Sequence, residues 1–198
     1  MKNKSIVIDL KNNCINVNKK KYLVSLSKNK AKTSNIYITE DKKYVFKYIN
    51  FSRNELGKHV KKNPFEFNLF EREIFIINYL NKNECSWAPK IYCYDKKNKI
   101  IMMEYCGDVI KKENLPKDYE SQIQSILDDM KKLKVKHNDI KVKQEILVKK
   151  GKIFICDWGW ASINNGYDCG INLWNGTKPN DIKDDSNIIN EIKKILKI

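Results

Sequence analysis

Two carboxylates, Asp139 and Asp157, stand in the stretch of this chain whose residue types and spacing best suit chemistry. Asp139 follows His137-Asn138, and a polar amide, Gln144, comes five residues later. A short apolar run, Ile146–Val148, precedes a glycine-containing turn at Lys149–Lys152. A second run, Ile153–Cys156, delivers Asp157 into Trp-Gly-Trp-Ala-Ser. The pattern predicts a β-hairpin with two carboxylates and an amide beside its ends. Such a group can hold a divalent cation next to a hydroxyl nucleophile, because Mg²⁺ takes hard oxygen ligands and leaves positions for phosphate and water.

Several elements must position these groups. Ser5–Leu10 and Cys14–Val17 predict a small hairpin across Lys11–Asn13. Tyr22–Leu26, Asn35–Thr39 and Tyr44–Ile49 are three further strands, rich in β-branched and aromatic residues. The loop Ser27–Ser34 has no glycine, but its hydroxyls and lysines suit phosphate. Alternation along Tyr44–Ile49 puts Val45 and Lys47 on one face. Pro64 and Phe65 open a helix that runs to Leu80, with Phe70, Glu73, Ile74, Ile77 and Leu80 at helical spacing on one side. A carboxylate within an apolar stripe is costly unless paired, which motivates a Glu73–Lys47 ion pair, with Glu71 as the fallback. Ala88–Tyr94 and Lys99–Tyr105 predict two more strands. Tyr119, Ile123, Ile126, Leu127, Met130 and Leu133 form a helical stripe leading into His137, and Asp184–Ser186 caps a final helix carrying Ile188, Ile189, Ile192, Ile195 and Leu196.

His-x-Asp, then an amide, then Asp-x-Gly in this order resembles the catalytic core of the protein-kinase-like superfamily. The separation of 18 residues from Asp139 to Asp157 is similar to that family's. His-Asn-Asp and Asp-Trp-Gly-Trp-Ala-Ser resemble the aminoglycoside- and choline-kinase branch, as does Thr33–Tyr37. Lys141, two after Asp139, resembles the Ser/Thr protein kinases, and the short chain resembles the atypical RIO-type kinases. The resemblance implies an α+β, bilobal protein-kinase-like fold over residues 1–198. It would have an antiparallel-sheet N-lobe (1–103), a hinge (104–107) and a truncated, mainly helical C-lobe (108–198). It implies ATP and Mg²⁺, or Mn²⁺, as cofactors. Asp139 would be the base and Lys141 would stabilise the transferring phosphoryl. Lys47, paired with Glu73, and Ser34 would hold phosphates, and Gln144 and Asp157 would hold metal, with Glu145, a carboxylate one residue out of the family's spacing, as the second candidate after Gln144. Met103 would be the gatekeeper, with the Glu104 carbonyl and the Cys106 amide bonding adenine. The activity implied is that of a minimal Ser/Thr protein kinase. A small-molecule or RNA-linked acceptor is the alternative, favoured by Thr33–Tyr37.

A pseudokinase that binds without transfer is the rival reading, supported by the glycine-free loop, Gln144 and the 39 residues left after Gly159. Lys and Arg number 39 against 24 Asp and Glu, a net charge of +15. That excess favours acidic partners: nucleotide, nucleic acid or an acidic protein. The six cysteines form no C-x-x-C, and only His59 and His137 could join them, which argues against a zinc site and for a reducing cytoplasmic setting. No segment reaches membrane-spanning length, and no signal peptide is expected.

Overall fold

Alternating β-branched and aromatic residues form strands throughout the first half of the chain, and the strands set the architecture. The computed structural model describes residues 2–27, 34–49, 69–163 and 185–198. The strands of the first half are β1 (Lys2–Asn3), β2 (Ile6–Asp9), β3 (Cys14–Val17), β4 (Lys20–Leu26), β5 (Ser34–Thr39), β6 (Tyr44–Ile49), β7 (Ile91–Asp95) and β8 (Ile100–Glu104). They make one sheet in the order β1-β7-β8-β6-β5-β4-β3-β2. All neighbours are antiparallel except β1, which lies parallel to β7.

β1 and β2 sit at opposite edges of this sheet, yet only Lys4 and Ser5 separate them. The sheet must therefore curl until its edges meet, and the seven antiparallel strands form a nearly closed barrel. Hydrogen bonds mark the seam. The Lys4 amide donates to the Tyr94 carbonyl (2.8 Å), and the Ile6 amide donates to Asp95 Oδ2 (2.7 Å). Asn98 Nδ2 donates back to the Ile6 carbonyl (3.2 Å). Ile6, Ile15, Val17, Val24, Tyr37, Phe46, Cys93, Ile100 and Met102 fill the interior.

The period-2 alternation of β6 and β8 sends the next residues outward. Ile49, Ile101 and Met103 pack there against Leu69 and Phe70 of helix α1 (Leu69–Lys82). The start of the helix predicted at Pro64 lies outside the described residues, as do most of the Ser27–Ser34 loop, Ser52–Asn63 and Tyr167–Pro179. Helix α2 (Tyr119–Lys132) and the hairpin β11 (Ile146–Lys149) and β12 (Lys152–Ile155) match the sequence pattern closely. Two short strand pairings were not expected. β9 (Asp108–Val109) joins β11, and β10 (Val135–Lys136) joins β13 (Ser162–Ile163). A one-turn helix α3 (Val142–Glu145) precedes β11, and α4 (Ile188–Leu196) ends the chain.

The bilobal kinase-like architecture implied by the resemblance is not what forms. The fold is mixed, dominated by the barrel-like sheet and accompanied, among the described residues, by four short helices. The region after 107 is not helical alone, because its described residues also contribute β9 to β13. Nor does it keep a core to itself. The largest apolar cluster joins Ile76, Ile77 and Leu80 of α1 to Ile123, Ile126 and Met130 of α2, to Ile146 and Ile155 of the hairpin, and to Ile188 and Ile192 of α4. Burial shared by α1 and the second half makes them one packing unit, since the apolar area removed from water is common to both. Among the described residues no helix is long and apolar enough to cross a membrane.

Candidate functional site

Lys47 lies in the middle of β6, paired between Ile36 of β5 and Ile101 of β8, on the face that α1 covers. Its ammonium is 2.7 Å from Glu73 Oε2 and 2.6 Å from Asp157 Oδ1. The Glu73 side chain is 1% exposed and that of Lys47 is 6%, whereas Asp157 is 32% exposed and opens toward solvent. Burial alone would strip the charge from Lys47, but Asp157 and Glu73 outweigh it and raise its pKa. Burial raises the Glu73 carboxyl to about 6 against the pull of Lys47. Burial also opposes ionisation of Asp157, yet Lys47 prevails and holds it below its ordinary value. Glu71, the fallback, points elsewhere and pairs with Lys96 on the surface.

Asp157 is held in place by its own backbone and by the turn that follows. It adopts φ 65°, ψ 61°, the left-handed region that costs a non-glycine residue about 1 kcal/mol or more. Trp158 then plugs the core, fully buried, with its indole N–H on the Ile155 carbonyl (2.9 Å). A Cβ on Gly159 would come within 3.0 Å of Leu69 Cδ2, so glycine lets the Trp158–Trp160 turn dock on α1.

Asp139 sits on a loop pinned at three points. The buried His137 ring reaches the Cys156 carbonyl through Nε2 (2.9 Å). Because the partner is an acceptor, Nε2 carries the proton. Burial lowers the pKa of this imidazole and keeps it neutral. The His137 amide donates to Asp185 Oδ2 (2.8 Å), just before α4. Asn138, left-handed at φ 68°, donates to the Trp160 carbonyl (2.9 Å) and to Ser162 Oγ (3.1 Å). The Asp139 carboxylate is 33% exposed and ion-paired with Lys141.

Glu145 completes this group. Its Oε2 accepts the Lys141 amide (2.7 Å), and its Oε1 lies 3.7 Å from the Lys141 ammonium. Burial, reinforced by the charges of Asp157 and Asp139, lifts its carboxyl to about 7. Gln144, expected at the metal, is exposed on α3, while Glu145 is buried toward the carboxylates. The one-turn helix rotates the residue next to β11 inward, which the separation counted from Asp139 does not reveal.

The segment expected to meet adenine is tied to β11. Met103 is buried in the layer under α1. The Cys106 thiol, pushed up to about 12 by burial, lies 3.6 Å from the Glu104 carbonyl. Lys149 donates to the Tyr105 carbonyl (2.6 Å) and pairs with Glu104 (3.2 Å). Gly107, at φ 98°, lies so close to β11 that a Cβ would stand 2.0 Å from the Val148 carbonyl oxygen. Ser34 opens β5 opposite Ile49, on the face of Lys47, and its buried hydroxyl has no hydrogen-bond partner among the described residues.

The structure thus brings Lys47, Glu73 and Asp157 into contact, and Asp139 and Lys141 into contact. Electrostatic coupling of Asp157 to Lys141 and Glu145 links the two groups. Sequence reasoning missed Asp185 and Lys149, whose roles depend on long-range docking that leaves no local pattern. Among the described residues no group of three or more His, Cys, Asp or Glu side chains is arranged to hold a metal by itself. No family model matches the chain, and no curated protein matches it.

Proposed function

We propose that this protein transfers the terminal phosphoryl group of ATP to a hydroxyl acceptor with the help of Mg²⁺. One observation carries the reading. A buried lysine on the central strand is shared by a buried glutamate and by a solvent-facing aspartate 110 residues away. A lone structural ion pair has no need of a third, half-open carboxylate.

The donor chemistry fits a magnesium nucleotide. Mg²⁺ binds through one or two carboxylates together with substrate phosphates, not through an all-protein cage. Asp157, with one oxygen on Lys47, would supply one carboxylate, and buried Glu145 replaces exposed Gln144 as the second. When bound, the metal neutralises charge on the phosphates. Lys47, kept protonated by its partners, would bind the triphosphate. Asp139 would orient the acceptor hydroxyl and take its proton as the acceptor oxygen bonds to phosphorus and the bridging P–O bond breaks. Lys141, bonded to Asp139, would balance charge on the group in transit. Lys141 therefore speaks for the reacting atoms and not for a protein side chain as acceptor.

Incubation with labelled ATP and Mg²⁺ tests this. Label should pass to an acceptor or to the protein itself, and should be lost in Asp139→Asn and Asp157→Asn. A thermal shift separates binding from turnover, since a ligand of the native state raises apparent stability. Stabilisation by ATP with no transfer would support the pseudokinase reading, which the exposure of Gln144 favours. No stabilisation at millimolar ATP overturns both.

A further inference from the structure

Among the lysines of the β11–β12 turn, Lys150 and Lys152 are exposed, whereas Lys149 is drawn in against the segment that leaves β8. Its ammonium donates to the Tyr105 carbonyl (2.6 Å), and the Glu104 carboxylate (3.2 Å) supplies its counter-charge. A trans peptide is planar, with its C=O and N–H pointing opposite ways. The Cys106 amide belongs to the same peptide unit as the Tyr105 carbonyl, so it faces away from Lys149. Cys106 is 2% exposed, yet its amide has no hydrogen-bond acceptor among the described residues. A buried amide is rarely left unpaired, so this one points to a ligand.

The sheet register relates this amide to Lys47. Lys47 pairs with Ile101, Val45 with Met103 and Tyr44 with Glu104. Glu104 thus stands three residues along β8 from the partner of Lys47, about 10 Å at the rise of a strand. A nucleoside spans such a length between its phosphates and its base. Val45 and Ile38, cross-strand partners on the face of Lys47, are both half-buried and offer an apolar surface to a flat ring.

We propose that Lys149 is a positioning residue for the base of the nucleotide: by fastening the Tyr105 carbonyl it turns the Cys106 amide toward purine N1 and strengthens it as a donor. A charged partner on the carbonyl polarises the peptide unit, and hydrogen bonds in a chain reinforce one another. Adenine N1 accepts a hydrogen bond, whereas N1 of guanine or hypoxanthine carries a proton, so the same bond selects adenine. The inference rests on the phosphotransferase reading for a nucleotide whose phosphates lie on Lys47.

The test is titration calorimetry with ATP and with 1-deaza-ATP, in which C–H replaces the N1 acceptor. Wild type is compared with Lys149→Met, which loses the donor, and with Lys149→Arg, which keeps one. Exposed Lys152→Met, in the same turn, is the control. Circular dichroism checks that each variant folds.

Wild type should bind ATP about tenfold or more tighter than 1-deaza-ATP, because the analogue leaves the buried amide unpaired. In Lys149→Met that preference should shrink to within about threefold, while 1-deaza-ATP binds within about twofold of wild type. Lys149→Arg and Lys152→Met should keep the wild-type preference. Equal weakening of both nucleotides in Lys149→Met would make Lys149 a brace of the fold and overturn the proposal, as would an undiminished preference in that variant. Equal binding of both nucleotides by wild type overturns it too, and that measurement needs no variant. If the preference depends on Lys149 but label from ATP passes to no acceptor, the positioning role stands and the phosphotransferase reading falls. No binding of either nucleotide at millimolar concentration overturns both.

Discussion

At the scale of single residues, Lys47 decides the most. Its ammonium compensates a Glu73 carboxylate that is almost fully buried. Removing one partner of a buried pair leaves the other charge uncompensated. Lys47→Met should therefore abolish transfer and also cost about 3 kcal/mol of stability in urea unfolding. Adding Glu73→Gln should recover part of that stability and none of the activity. Glu71→Gln, on the surface with Lys96, should change neither. Equal effects of the two glutamine variants would show that Glu73 does not anchor the lysine. The choice of Glu73 was legible because a carboxylate in an apolar stripe needs a cation. Which of Gln144 and Glu145 faces inward was not legible, because the spacing alone does not show which side of a one-turn helix is buried. Glu145 has a titration that shows its place. Its folded pKa of about 7 stands above the ordinary 4.5, so the folded state binds the extra proton. Its stabilising contribution is thus full below pH 4.5 and lost as pH rises through 7. Wild type should lose about 3 kcal/mol at most relative to Glu145→Gln between those pH values. A difference that is flat with pH would place Glu145 in water.

At the scale of elements, strands and helices followed from pattern, and their docking did not. The alternation of Tyr44–Ile49 fixed which residues share a face with Lys47, and the stripe from Tyr119 to Leu133 fixed the buried side of α2. The pairings of β9 and β10 are two residues long, too short for a periodic signal. The bond from the His137 amide to Asp185 spans 48 residues and has no local signature. Through it, the segment that begins α4 holds the loop of Asp139. Misplacing a reacting group by about 1 Å can cost 100-fold in rate. Asp185→Ala should lower kcat about tenfold or more and leave KM for ATP within about twofold. Asp185→Asn keeps an oxygen that accepts the same amide and should restore most of the rate. A loss of stability with kcat intact would reduce Asp185 to a structural contact.

At the scale of the whole molecule, the curled sheet was the least legible feature. Every strand of the barrel except β1 was expected, but the sequence order does not say that β1 would cross to the far edge and pair with β7. Asp95 fastens that seam. It is 5% exposed, and its carboxylate accepts the Ile6 amide (2.7 Å), the Asn98 amide (2.9 Å) and Asn98 Nδ2 (2.9 Å). Burial pushes its pKa up, but these donors prevail and hold it below 3.8. Its stabilising contribution is therefore present above pH 3.8 and lost as pH falls through the lower, folded value. Asp95→Ala leaves three donors without their acceptor and should cost about 2–3 kcal/mol at neutral pH. Asp95→Asn offers one acceptor oxygen and should cost less. Because the carboxylate joins β7 to β2, the loss should be local before it is global. Hydrogen exchange in Asp95→Ala should speed up first at Lys4, Ile6 and the β2–β3 ladder, and last at β5 and β6 in the middle of the sheet. Uniform acceleration over all the strands would mean that the barrel opens as one unit and that the seam has no stability of its own.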